Sequence, residues 1–143
     1  MKPYEFLDEL TWADVAFRAH GKTIEELFAN AALATTESMV MLSSVKPILH
    51  KDITVTDDTI EKLLYSFLEE LILIKDSEQY FLHDCTVTVK RADDNWICTA
   101  HCRGDTIKPD EQTLHNDVKA ITYHEFKVEQ TKNGWTATII LDV

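Results

Sequence analysis

The sequence has few glycines, prolines and cysteines and no long apolar run, so it lacks the features of disordered, membrane-spanning and secreted proteins. Its 143 residues include only 3 Gly and 3 Pro while 45% are hydrophobic, which excludes a disordered or collagen-like chain. No apolar run reaches the roughly 18 residues of a membrane span, and the N-terminus lacks the order of a signal peptide. Three cysteines at irregular spacing indicate a reducing compartment. We expect a cytoplasmic protein with free thiols and a single domain over residues 1–143.

Basic residues and catalytic motifs are also scarce. Lys and Arg total 14 against 25 Asp and Glu, which gives a formal net charge of -11. A surface of this sign repels nucleic-acid phosphates, so we expect no direct binding to nucleic acid and no membrane partner. The sequence contains no GxSxG, P-loop, GxGxxG, HExxH or CxxC pattern, which removes support for most common enzyme classes.

Hydrophobic periodicity predicts both strands and helices. Helical spacing predicts one helix from about Thr23 to Leu42 and a second that carries an apolar stripe from Ile60 to Ile72. Alternation predicts strands at about 13–20, 51–56, 85–90, 96–103, 120–130 and 135–143. We therefore expect an α+β fold, a two-layer sandwich in which both helices pack on one face of a mixed or antiparallel sheet.

Strand parity places three charged residues on the polar, helix-free face of this sheet. Asp14 in the first predicted strand and Asp142 in the last lie on the side away from the apolar residues, and Lys119 is assigned to the same face. If those two strands are antiparallel neighbours, the carboxylates flank each other and offer oxygen ligands to a hard divalent cation. The main-chain carboxylate of Val143, if the chain ends there, lies one residue away.

A site of two carboxylates without a dedicated loop would hold Mg²⁺, Mn²⁺ or Ca²⁺ weakly, with water or a partner completing the coordination. The alternative is that these are ordinary solvated aspartates at strand ends, with Lys119 as a surface counter-charge. The acids of the 104–118 segment, Asp105 among them, are expected in an exposed connection, and His124 has the parity of a core residue.

Five segments resemble the archease family, in the same order and over essentially the full length. They are TWADVAFRAHGKTIEELFANAA, EKLLYSFLEELI, the dipeptide Gly104-Asp105, DVKAITYHEFKV and the terminal LDV. The resemblance implies the archease fold and a non-enzymatic activator of the RtcB-type tRNA-splicing RNA ligase, which uses GTP and a divalent metal. Such a protein promotes guanylylation of the ligase and its repeated turnover by arranging metal at the ligase active site.

The resemblance also implies which residues act. The family's metal-binding and functional positions fall on Asp14, Lys119, Asp142 and Val143, and the first three are the residues that strand parity places on the polar face. The sequence departs from the family at Thr11-Trp12, where His-Thr is usual, and at Asp105, where Glu is common.

Two other functions stay open at the level of sequence. A metal-dependent phosphoester hydrolase would use Asp14 and Asp142 as ligands and Lys119 to stabilise negative charge, but the sequence offers no general base near them. A thiol-based chaperone or redox sensor would use Cys85, Cys98 and Cys102 and requires accessible thiols of low pKa. Strand parity places all three thiols in the core, and it separates His101 from Cys98 and Cys102, which argues against a zinc site.

Overall fold

The computed structural model describes residues 2–7 and 14–143. Within these ranges the chain forms seven strands, two α-helices and a 3₁₀ turn at Leu42–Ser44. In chain order the main elements are β1 (Tyr4–Leu7), β2 (Asp14–Gly21), α1 (Ile24–Glu37), β3 (Leu49–Asp57), α2 (Ile60–Glu78), β4 (Tyr80–Ala92), β5 (Asn95–Thr106), β6 (Ala120–Thr131) and β7 (Gly134–Asp142). The predicted α+β class is confirmed.

The described strands form two antiparallel sheets rather than one. The first has the order β1-β2-β7-β6 and the second the order β3-β5-β4. Two sheets form because the two hairpins take different partners: β5 pairs with β3 along the whole of β3, and β7 pairs with β2 along the whole of β2. The chain therefore changes sheet twice, between β2 and β3 and between β5 and β6.

Both sheets are built on the same topology. In each, a strand leads into a helix and then pairs with the second strand of a hairpin. We call β2, α1 and the β6–β7 hairpin the outer unit, and β3, α2 and the β4–β5 hairpin the inserted unit, because the second lies between the helix and the hairpin of the first. Apart from a shared Thr-Ile-Glu at 23–25 and 59–61, the sequence shows no internal repeat, so the full duplication becomes visible in the structure.

The two helices begin in the same way. Thr23 caps α1 by accepting the main-chain N–H of Glu26 at 3.1 Å, and Thr59 caps α2 by accepting that of Lys62 at 3.2 Å. An N-cap threonine satisfies a helix donor that would otherwise lack a partner. The first helix ends at Glu37, earlier than the sequence predicts.

Each helix also covers a strand edge of the other unit. The carboxylate of Glu25, in the first turn of α1, accepts the Val89 N–H of β4 at 3.4 Å. The carboxylate of Glu61, in the first turn of α2, accepts the Val128 N–H of β6 at 3.3 Å. These contacts satisfy donors on open sheet edges, which would otherwise be available to pair with another chain.

One hydrophobic core joins the two units. Helix α1 packs on β2 and β4, while α2 packs on β3 and β6. The fully buried rings of Phe28 and Phe67 stack between the helices with their centroids 6.0 Å apart. Full burial of a side chain of this size stabilises the folded state by about 1.5–3 kcal/mol relative to leaving it exposed. Neither α-helix of the described chain has the length and apolarity that crossing a membrane requires.

Strand β6 contains an irregularity that the sequence pattern does not reveal. Its pairing with β7 shifts between Thr122 and Lys127, and Glu125 has a φ of 56°. Because the bulge contains extra residues, the alternation on its N-terminal side is reversed. The predicted sides of Ile121 and His124 are therefore wrong: Ile121 is 3% exposed and His124 is exposed. The count that assigned Lys119 to the polar face uses the same alternation and fails with it, and Lys119 lines a groove against α2.

The exposed connection predicted from residue 104 begins later, because β5 continues to Thr106. Asp105 is consequently 4% exposed rather than solvated. Its carboxylate accepts the Thr106 N–H at 2.8 Å and lies 3.3 Å from Nζ of Lys108. The prediction that Asp105 belongs to a solvated loop is wrong.

Lys75 of α2 anchors the connection that follows. Its buried ammonium contacts the Asp117 carboxylate at 2.7 Å, the Val118 carbonyl at 2.8 Å and the Asp76 carboxylate at 2.9 Å. Burial opposes the charge, but the hydrogen bonds to Asp117 and Asp76 raise the pKa of Lys75. The burial of Lys75 could have been suspected from the sequence, because this lysine lies four residues after the buried Leu71 and so continues the apolar stripe of α2.

Candidate metal site

The two aspartates selected from the sequence stand directly opposite each other. Strands β2 and β7 are antiparallel, and Asp14 is the register partner of Asp142. Directly opposite residues of an antiparallel pair project from the same face of the sheet. Both residues are half-buried. The fold thus brings together two carboxylates that lie near opposite ends of the sequence.

These aspartates belong to the closer of the two kinds of antiparallel pair. The main-chain carbonyl of Asp142 accepts the N–H of Lys119 at 2.8 Å, so it points towards β6 and away from β2. Asp14 and Asp142 are therefore a non-hydrogen-bonded pair, in which the Cα atoms lie about 4.5 Å apart. Like charges directly opposite each other are destabilising, and a divalent cation bound between carboxylates offsets that repulsion.

Lys119 and Val143 adjoin this pair along the chain. Lys119 directly precedes β6, and the next residue, Ala120, is the register partner of Asp142. The Lys119 residue is exposed and lines a groove against α2, while its main chain fixes the end of β7. Val143 is half-buried and follows Asp142 directly.

The next row on the same face is apolar. Ala16 and Ile140 are register partners and are 5% and 1% exposed. Arg18 of β2 lies one further row away and pairs with Glu5 of β1 at 3.4 Å. An apolar neighbour lowers the local dielectric and strengthens the attraction between the carboxylates and a cation.

The inserted unit carries different residues at the equivalent place. His50 lies nine residues before the cap Thr59, as Asp14 lies nine before the cap Thr23. The register partner of His50 is Arg103, whose Nε donates to the Asp84 carboxylate at 2.9 Å. This hydrogen bond lowers the pKa of the Asp84 carboxyl.

The other residue clusters considered from the sequence do not form a site. Cys98 and Cys102 are buried in the core, whereas His101 is on the opposite, exposed face with Asp52 at 2.6 Å. Burial raises the pKa of the Cys98 thiol to about 12. The departure from the family pattern at Thr11-Trp12 lies outside the described residues.

Within residues 2–7 and 14–143, no three His, Cys, Asp or Glu side chains are arranged to hold a metal ion. The pair of Asp14 and Asp142 supplies two carboxylates. A divalent cation at this pair therefore requires further oxygen ligands from the main chain, from water or from a partner.

Comparison with known sequences identifies the family. The model of the Archease protein family (MTH1598/TM1083) matches residues 4–143. The chain is 34% identical to the protein archease of Thermococcus kodakarensis, over 92% of this chain and 93% of that protein. It is 31% identical to the protein archease of Pyrococcus abyssi over 100% of both chains.

Solved structures agree with the sequence comparisons. The solution structure of protein 1598 from Methanobacterium thermoautotrophicum is 33% identical, with a TM-score of 0.85 over 100% of both chains. A crystal structure from Thermotoga maritima, described as an archease and possible chaperone, has a TM-score of 0.61. At 20% identity over 92% of this chain and 91% of that chain, it supports the fold alone. The chain belongs to the archease family, as its sequence motifs predict.

Proposed function

We propose that this chain is a non-enzymatic accessory protein of the GTP-dependent RtcB-type RNA ligase in tRNA splicing and RNA repair. It promotes guanylylation of the ligase and multiple turnover through a weak divalent-metal site at Asp14 and Asp142, with Lys119 and Val143 beside it. The observation that carries the proposal is the register of the two aspartates, which stand opposite each other in a non-hydrogen-bonded pair.

The donor set suits a hard cation that is passed on rather than retained. Two carboxylates favour Mg²⁺, Mn²⁺ or Ca²⁺, and an incomplete ligand set gives low affinity and leaves coordination positions for a partner. Lys119 contributes through its main chain by holding the strand end that carries Asp142.

The charge of the chain fits a partner that is basic. A net charge of -11 favours association with a cationic protein surface and disfavours competition for the RNA substrate. An accessory protein with these properties would bind the ligase and leave the RNA to it.

The two alternative functions have less support. A hydrolase needs a general base within reach of the substrate, and no third His, Cys, Asp or Glu of the described chain joins the two aspartates as a ligand group. A thiol-based chaperone needs accessible thiols of low pKa, whereas Cys98 and Cys102 are buried and the pKa of Cys98 is raised.

The proposal is tested by measuring ligase guanylylation with labelled GTP, with and without this protein, over a range of Mg²⁺, Mn²⁺ and Ca²⁺ concentrations. We expect the protein to increase the guanylylated fraction and the number of turnovers, most strongly when metal is limiting. No stimulation at any metal concentration would contradict the proposal. Turnover of a phosphoester by the protein alone would support the hydrolase.

A further inference from the structure

Two thiols of the inserted unit face each other on neighbouring strands. Cys85 of β4 is the register partner of Cys102 of β5. Val89, four residues after Cys85, directs its N–H away from β5 to the carboxylate of Glu25. Along a strand, the main-chain N–H groups of every second residue point to the same side, and the pairing of β4 with β5 is regular from Cys85 to Val89. The N–H of Cys85 therefore also points away from β5. Cys85 and Cys102 are thus a non-hydrogen-bonded pair.

This geometry suits a disulfide. The Cα atoms of a non-hydrogen-bonded pair lie about 4.5 Å apart, and disulfides usually join Cα atoms that are about 4.4–6.8 Å apart. Cys98 is excluded as a partner because it lies four residues from Cys102 along β5. That separation is about 13 Å in a strand, well beyond the limit of about 7 Å.

We propose that Cys85 and Cys102 are a redox pair that a hydroperoxide closes to an intramolecular disulfide. Cys85 is the entry point, because it is half-exposed while Cys98 and Cys102 are buried. Its sulfur takes a hydroxyl group from hydrogen peroxide, which forms a sulfenic acid and releases one water molecule. The Cys102 sulfur then attacks the sulfenic sulfur, the S–S bond forms, and a second water leaves. The two thiols lose two electrons and two protons, and the peroxide is reduced to water.

The pair reacts slowly, which distinguishes it from a rapid peroxide sensor. The hydrogen bond with Cys102 and burial raise the pKa of the Cys85 thiol, so little thiolate is present near neutral pH. The disulfide therefore forms under sustained oxidation. It joins β4 to β5 and stabilises the inserted unit, since a cross-link restricts the unfolded chain.

The experiment uses the whole protein, treated with hydrogen peroxide in its native state and then alkylated under denaturing conditions. Trypsin cleaves after Lys90 and Arg91, so Cys85 falls on a different peptide from Cys98 and Cys102. We expect a linked pair of peptides with the mass of two hydrogen atoms lost and one remaining alkylated cysteine. Dithiothreitol should restore three alkylated cysteines.

The variant Cys98→Ala is the matched control, and we expect it to form the same link. The variants Cys85→Ala and Cys102→Ala should form no intramolecular disulfide, and circular dichroism establishes that they are folded. The proposal is overturned if wild-type protein shows only oxygen addition, or if the link in wild-type protein involves Cys98. The oxidised protein should also have a higher thermal midpoint than the reduced protein.

The pair is independent of the proposed activating function, because it lies in the inserted unit and the two aspartates lie in the outer unit. Oxidised protein should therefore stimulate the ligase as well as reduced protein does. A ligase that does not respond to wild-type protein would contradict the proposed function and leave the mass measurement as a full test of the disulfide.

Discussion

The outer and inserted units share a topology but differ in the residues at equivalent positions. In the outer unit the row at the end of the sheet holds the facing carboxylates of Asp14 and Asp142. In the inserted unit the same row holds His50 and Arg103, and Asp84 neutralises the arginine. The comparison teaches that the fold supplies two equivalent places with different residues, and the proposed cation site uses the acidic one in the outer unit.

The difference extends to the inner face of the same strands. The neighbouring register pair is Ile121 and Leu141 in the outer unit, both buried in the core. In the inserted unit it is Cys85 and Cys102. In the outer unit the row next to the aspartates thus has apolar side chains, which are not oxidised under mild conditions. In the inserted unit the equivalent row has the two thiols.

The largest expected effect is on ligase stimulation, which should depend on the row of Asp14 and Asp142 and not on the row of His50 and Arg103. Asp142→Asn removes a negative charge with little change of shape, so we expect stimulation of ligase guanylylation to fall to the level of the ligase alone. The matched substitution in the inserted unit, Arg103→Gln, should leave stimulation intact. Retained stimulation in Asp142→Asn, or an equal loss in both variants, would show that the two rows do not differ in the way proposed.

The second prediction asks whether the units unfold separately. Phe67→Ala removes half of the aromatic stack between the helices, and we expect the free energy of unfolding to decrease by about 3–5 kcal/mol. Because Phe28 on the other helix loses its partner, amide hydrogen exchange should accelerate in β5 and β7 alike. Faster exchange confined to the inserted unit would indicate two independent units.

The third prediction compares the two helix caps. Thr23→Ala and Thr59→Ala each leave a helix donor without its side-chain acceptor, so each should lower the free energy of unfolding by about 1 kcal/mol. Urea denaturation measures both, and the serine variants at these positions should retain most of the stability. If the decreases in the free energy of unfolding differ several-fold between the two alanine variants, the caps are not equivalent.

The smallest expected effect concerns the ion pair of the inserted unit. The pKa of Asp84 is lowered in the folded protein, so its contribution to stability is present above the unfolded value of 3.8 and is lost as the pH falls towards the folded pKa. Asp84→Asn should therefore be slightly less stable than wild-type near neutral pH and equally stable in strong acid. A difference in urea midpoint that persists in acid would contradict this.

Both helices, the strands β2 to β7 and the two aspartates could be predicted from the sequence because their signals are local, whereas the four-residue strand β1 (Tyr4–Leu7) is not predicted. Asp14 and Asp142 occupy strands whose alternation is regular to the end, so counting residues gives the correct face. The sides of Ile121 and His124 could not be predicted, because a bulge leaves no mark in the composition and reverses the alternation on one side.

The duplication could not be predicted either, because it is a property of strand pairing. The threonine caps and the edge-covering glutamates Glu25 and Glu61 recur, but the residues between them have diverged. The division into two sheets follows from which strand each hairpin pairs with, a non-local choice that hydrophobic periodicity does not encode.

The central claim, that Asp14 and Asp142 bind one divalent cation together, is tested most directly by NMR of the full-length ¹⁵N-labelled protein titrated with Mn²⁺. A bound paramagnetic ion broadens nearby resonances, so we expect substoichiometric Mn²⁺ to broaden the amides of Asp14, Asp142 and Ala120 selectively. The amides of His50 and Arg103 should stay sharp, and the effect should disappear in Asp142→Asn. Broadening that is absent at the two aspartates, or that is unchanged in this variant, would contradict the account.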